Sequence, residues 1–229
     1  MPMKQMKLAR MSVPGAAALT AYKRSYKGGG ASDFHFPIFQ AAAELTDCKS
    51  VLYAGSHRHL TMSLAFPDVL YVDSDERVGD VFASTKAAEY VSENKTYREE
   101  HALEFCCADY TQLRPDRKFD LLASLSAGQA APHCSKHVRE GGFILASDAH
   151  SDARTALLMD CWEPFAVWDD ETETFTTKKD TLDRCFRVRG TGDLISAEQV
   201  RESIEIGTVR KRKFKLMSEP MFYLFRKKV

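Results

Sequence analysis

The residues able to do chemistry in this chain gather at the ends of short apolar runs: Gly55-Ser56-His57, Asp73, Asp109, Ser124, and Asp148 with His150. A carboxylate at such a place, as Asp73 is, can accept two hydroxyl hydrogen bonds, each worth about 1.5–3 kcal/mol when charge-assisted. Asp109 could accept hydrogen bonds in the same way. Gly55, lacking a Cβ, lets a ligand approach the backbone or lets the chain turn sharply. The run Ser147-Asp148-Ala149-His150-Ser151-Asp152 offers a histidine base with an orienting carboxylate, or three ligands for a divalent metal. Plainer roles stay open beside these: Asp73 and Asp109 could cap a following turn, and the 147–152 run could be a hydrophilic loop with a helix cap. His133 and His137 share a helix face, but no thiolate or carboxylate set of zinc spacing accompanies them, so no metal site is expected there. The six cysteines show no C-x-x-C spacing and read as buried thiols in a reducing cytoplasm.

The elements that must hold these residues follow from periodicity. Val51-Leu52-Tyr53-Ala54 and Val69-Leu70-Tyr71-Val72 are uniform apolar runs of the kind buried on both sheet faces. Gly55 ends the first and Asp73 the second, with a short helix over 60–66 between them and Pro67-Asp68 as its stop. This is a βαβ unit of the type that holds a nucleotide-like ligand at a helix N-terminus. Asp33 is placed to cap a helix over 34–45, and 77–94 reads as one helix. Strands are expected at 102–107, 119–124, 143–146, 165–168 and 221–226. Between them lie helices over 130–139, stopped by Gly141-Gly142, over 152–159 and from Ser196. The polar 169–183 segment could form a hairpin with 186–188. Strands separated by helices imply a doubly wound, mostly parallel α/β sheet, whose ligands sit beyond the carboxyl ends of the strands.

Composition sets the bounds. With 229 residues, 44% of them hydrophobic, the chain can bury one sizeable core. Residues 33–229 are expected to form it, with 1–32, broken by Pro14-Gly15 and Gly28-Gly29-Gly30, as an arm or cap. Basic and acidic residues balance at 32 each, so there is no global electrostatic case for nucleic acid or an anionic membrane. Lys23, Arg24 and Lys27 between Tyr22 and Tyr26, and the basic run Arg210 to Lys215, could touch phosphate or a partner, or be ordinary solvated faces. No apolar run reaches transmembrane length, and the segment after Lys4, Lys7 and Arg10 is too short for a signal peptide. A cytoplasmic location is expected.

Taken in order, these strand ends resemble the class I S-adenosylmethionine-dependent methyltransferases, over roughly residues 33–229. VLYAGSHRHL stands where that family has a strand followed by G-x-G-x-G. Asp73 matches the acid that ends its second strand and holds the cofactor ribose. Asp109 matches the acid that meets the adenine amino group. FDLLASLSAG resembles its fourth-strand motif, REGGFILASD its fifth strand, and EPMFYLFRKK its antiparallel last strand. The resemblance implies a Rossmann-like sheet of seven strands and S-adenosylmethionine as cofactor. Its contacts would be Gly55, Ser56, His57, Asp73, Asp109 and Ser124, with Asp148 and His150 as the catalytic pair. The chain departs from the family at His57 and His59, which replace the second and third glycines.

The fourth-strand exit has neither an Asn/Asp-Pro-Pro-aromatic run nor a Pro-Cys pair, so base methylation of nucleic acid is disfavoured and a small-molecule acceptor expected. A second reading keeps the fold without catalysis, as a binding or regulatory protein. The two loop histidines favour it; the acids at two strand ends favour the enzyme.

Overall fold

The computed structural model describes residues 15–206 and 214–229. The chain divides into two compact units, Met1–Asp116 and Arg117–Val229. In the first, α1 (Gly15–Ser25) and α2 (Phe36–Thr46) precede β1 (Ser50–Ala54), β2 (Asp68–Asp73), α3 (Gly79–Phe82), α4 (Thr85–Asn94) and β3 (Ala102–Cys107). The strands run parallel in the order β3-β2-β1, with Ala54 opposite Val72 and Asp73 opposite Cys107. Positions 51–54 and 69–72 are all buried, as unbroken apolar runs require. Each buried Val and Leu among them contributes about 1.5–3 kcal/mol by leaving water. Cys106 faces inward and Cys107 outward, following the two-residue period of β3, and no disulfide joins any of the cysteines.

In the second unit β4 (Phe119–Ser124) pairs in parallel with β5 (Val138–Ser147). The last strand, β8 (Phe222–Lys227), runs antiparallel between β5 and β6 (Trp162–Asp169), and β7 (Thr174–Thr176) closes a hairpin on β6. Helices α5 (Ala130–Cys134), α6 (Asp152–Leu157), α7 (Lys179–Arg184) and α8 (Ala197–Ile206) lie between. The fold class is thus the expected Rossmann-like α/β, parallel strands with an antiparallel last strand. The described residues contain eight strands, not seven, because β7 adds a short one.

Several local expectations are corrected. Asp33 does not cap α2: His35 occupies the N-cap with Pro37 in the first turn, while the Asp33 side chain is drawn inward by other donors. The 77–94 helix is broken, because Ser84 turns extended and its Oγ accepts from Ala87 N at 3.3 Å, starting α4 afresh. The turn over Leu60–Leu64 is a 3-10 helix. Gly141-Gly142 lies inside β5, not before it. A Cβ on Gly142 would stand 2.5 Å from Val138 Cγ1 and 2.7 Å from Asp120 O, so a register irregularity against β4 demands glycine there. The 169–183 segment pairs with β6 and not with 186–188, since the Asp169 carboxylate accepts from Glu171 N at 2.9 Å and turns the chain back at once.

Among residues 15–32, Tyr22 is fully buried, its hydroxyl 2.8 Å from Thr61 Oγ1 and accepting from Gly30 N at 2.8 Å. It is therefore not available to stack on a nucleic-acid base. Residues 1–14 and most of the basic run, 207–213, lie outside the described residues. No helix among those described is long and apolar enough to cross a membrane.

Candidate functional site

The first unit brings together the turn after β1 and the end of β2. Gly55 takes a φ of 63°, and His57, where glycine would be expected, takes 46°. The left-handed backbone of a glycine loop is therefore kept without the second glycine, at a steric cost that only held residues bear. What holds it is Asp73. Its Oδ2 accepts from His57 N at 2.8 Å and its Oδ1 from Asp75 N at 2.9 Å. Ser56 is buried, donating its N–H to Val72 O at 3.0 Å, so the loop is stitched to β2 at both Ser56 and His57. Asp73 is only half-buried, and a carboxylate oxygen accepting one N–H keeps a second lone pair.

The two loop histidines part ways. His57 is exposed, with Nδ1 3.2 Å from Tyr26 Oη. His59 turns inward and is 2% exposed, its Nε2 2.6 Å from Asp33 Oδ2 and its Nδ1 2.7 Å from Tyr53 Oη. Asp33 also accepts from Thr61 Oγ1 at 2.5 Å and from His35 N and Nδ1 at 3.1 and 3.0 Å. Burial alone would raise the Asp33 carboxyl, but the bonds from His35, His59 and Thr61 outweigh it and hold the group well below the usual carboxylate range. At His59 burial dominates, lowering the ring to about 4 against the opposing Asp33 hydrogen bond. The pair is a carboxylate and a neutral imidazole, and the ring of Tyr26 stacks on that imidazole at 4.1 Å. His59 thus anchors the loop from below and leaves Gly55 and His57 on its outer side.

Asp109 follows β3 at the same strand-end level as Asp73, exposed, and its side chain accepts from Thr111 N at 2.8 Å, capping the Tyr110–Gln112 turn. The capping role weighed for it is therefore filled.

In the second unit Ser124 ends β4, buried, and donates its hydroxyl to Asp152 Oδ2. Asp152 also accepts from Ala131 N, at 3.2 and 3.3 Å to its two oxygens. Asp148 ends β5, and its Oδ2 accepts from Nε of the fully buried Arg154 at 2.8 Å. Nη2 of Arg154 reaches Glu219 at 2.9 Å. His150 is exposed, and its carbonyl accepts from Gln129 Nε2 at 2.6 Å. The structure does not bring Asp148 and His150 together as a pair: the charged partner of Asp148 is Arg154. Nor do Asp148, His150 and Asp152 form a metal cluster among the described residues.

Burial pushes the Asp152 carboxyl up to about 7, against the opposing bonds from Ser124 and Ala131. In the unfolded chain the same group titrates near 4. Between these values the folded chain holds a proton that the unfolded chain has lost, so stability falls as pH rises from about 4 to 7 and levels off above. At about 1.4 kcal/mol per unit the full effect reaches the order of 4 kcal/mol. Asp152→Asn, which keeps an acceptor but cannot ionise, is expected to be more stable than the native chain at pH 8 and indistinguishable at pH 4. Urea unfolding at both pH values measures the difference; an unchanged gap would contradict it.

Sequence reasoning missed the Asp33–His35–His59 group, Arg154 and the burial of Asp152. Only Asp33 and His35, two apart before Pro37, carried a local signal, and it pointed to a cap.

No family model matches the chain, and no curated protein matches it. Among solved structures it is similar to an O-methyltransferase from Bacillus cereus in complex with SAH, at 12% identity over 70% of this chain and 86% of that one, with a TM-score of 0.46. It is similar also to an S-adenosylmethionine-dependent methyltransferase from Clostridium acetobutylicum, at 14% identity over 93% and 99% of the two chains and a TM-score of 0.44. A third is the O-methyltransferase TomG from Streptomyces achromogenes in complex with SAM, at 10% identity over 72% and 87% and a TM-score of 0.43.

Proposed function

We propose that this protein is an S-adenosylmethionine-dependent methyltransferase with a small-molecule acceptor. The observation that carries the reading is the union of Gly55, His57 and Asp73. A strand-end acid is bonded to a loop that keeps the left-handed backbone of a glycine motif at a residue that is not glycine. The left-handed backbone at His57, held by the Asp73 carboxylate, supports a loop shaped for close approach.

The residues fit the cofactor. Asp73 is half-buried and retains a lone pair on each oxygen for the two ribose hydroxyls. Gly55, lacking a Cβ, gives close backbone approach, with buried Ser56 and His59 holding the loop behind it. Asp109 stands exposed after the next strand for an amine. When bound, the cofactor supplies an activated methyl group on a sulfonium. The protein's task is then chiefly to orient donor and acceptor, worth about 7–11 kcal/mol in the favourable limit. Ser124 in this reading acts as a positioning residue through its bond to Asp152. Asp148, held by Arg154, fixes the end of β5, and exposed His150 is the group able to take a proton from an acceptor, a contribution on the order of 10²–10⁴-fold where one must be lost.

S-adenosylhomocysteine is the cheapest test. At a hundredfold excess over its dissociation constant it is expected to stabilise the chain by about 2.7 kcal/mol, a midpoint rise of about 5–10 °C by thermal denaturation. No shift with millimolar ligand, on folded protein, would instead support a fold kept without cofactor.

A further inference from the structure

We propose that Asp33, His35 and His59 form a binding site for a borderline divalent transition-metal ion of the zinc class, clamping the segment before α2 to the loop after β1. One ligand atom from each of Asp33, His35 and His59 lies within 4.8 Å of the other two, and the ring nitrogens already turned to the carboxylate are Nδ1 of His35 and Nε2 of His59. Two imidazoles and one carboxylate are the donor set that zinc takes, and that magnesium and calcium do not. Bonds of about 2.0–2.1 Å in a tetrahedron place ligand atoms about 3.3 Å apart. His59 Nε2 now stands 2.6 Å from Asp33 Oδ2 and His35 Nδ1 3.0 Å from Asp33 Oδ1, hydrogen bonds that a bound ion would replace by drawing the three groups to tetrahedral spacing.

The surroundings are those of a metal ligand shell. Tyr53 Oη lies 2.7 Å from Nδ1 of His59 and fixes the ring from behind, the role of an orienting partner. Thr61 Oγ1 donates to Asp33 at 2.5 Å and fixes the carboxylate. On binding, the nitrogen of each ring that now faces Asp33 presents a lone pair. The proton of His59 moves to Nδ1, where Tyr53 Oη can accept it, and that of His35 moves to Nε2, each ring keeping one proton. His35 is the entry side, with 16% of its side chain exposed, and water completes the coordination. The proposal does not depend on cofactor binding.

The test is titration of the full chain, stripped with a chelator, with Zn²⁺ by calorimetry and with Co²⁺ by visible absorption. One ion per chain is expected, with a tetrahedral cobalt spectrum. His35→Ala and Asp33→Asn should abolish it, and Tyr53→Phe should weaken it about 10–100-fold. His101→Ala, outside the cluster, should bind as the native chain does. Absence of stoichiometric binding by the native chain overturns the proposal whether or not the variants fold. So does full binding by a folded His35→Ala, since the ion would then sit elsewhere.

Discussion

Asp73→Ala is expected to weaken binding of S-adenosylmethionine and S-adenosylhomocysteine a hundredfold or more while the chain remains folded. The carboxylate would accept two ribose hydroxyls, at about 1.5–3 kcal/mol each, and losing both corresponds to roughly two to four decades in affinity. A second effect adds to the first. Asp73 also holds the His57 and Asp75 amides, so alanine releases the loop that must lie against the cofactor. Those two bonds also go to the charged carboxylate and contribute at most about 1.5–3 kcal/mol each to folding, reduced because Asp73 is half-exposed to water, so the variant should stay folded, which circular dichroism checks beside the titration. Asp75 is the built-in control. Its carboxylate caps the Glu76–Val78 turn and pairs with exposed Arg77, so Asp75→Ala should leave binding unchanged. Calorimetric titration of both variants decides the matter. If Asp73→Ala binds as tightly as the native chain, the ribose does not lie at the end of β2.

The second large effect is on stability. Arg154→Ala should cost about 3–5 kcal/mol, because removing one partner of a buried ion pair strands the other. Arg154 is fully buried between Asp148 and Glu219, with its guanidinium 5.6 Å over the ring of Phe214. Glu219, 25% exposed, can return to water; Asp148, 9% exposed, cannot. The penalty therefore falls on Asp148, and the midpoint should drop by about 6–20 °C at 2–4 °C per kcal/mol. Adding Asp148→Asn to Arg154→Ala should recover part of the loss, since the stranded charge is gone. A loss below about 1 kcal/mol for the single variant would mean that water reaches the site.

The sheet was legible in the sequence because burial on both faces writes itself locally. Val51 to Ala54, Val69 to Val72 and Phe143 to Ala146 are apolar without interruption, and nothing but a covered strand suits so short a run. The ends were legible for the same reason, since Gly55 and Asp73 are where the apolar run stops, whereas the antiparallel direction of β8 was implied only by the resemblance of EPMFYLFRKK to a family's last strand. Element boundaries were less so: one serine, Ser84, divided a helix that periodicity read as continuous.

What the sequence could not determine is which polar groups face one another. Asp33 and His59 are 26 positions apart, and only the packing of the segment before α2 under the β1 loop makes them partners. The same holds for Asp148. Sequence proximity suggested His150, two residues on, yet the tertiary structure delivers Arg154 from the following helix and Glu219 from the approach to β8. Ser124 and Asp152, 28 positions apart, meet only because β4 and β5 lie side by side. Periodicity is a property of neighbours along the chain and fixes which face a residue takes. The partners of a buried charge are set by loops closing across the fold, where desolvation obliges every charge to find an opposite or a donor. That obligation left the outer side of the β1 loop to Gly55 and His57 and drew His59 inside.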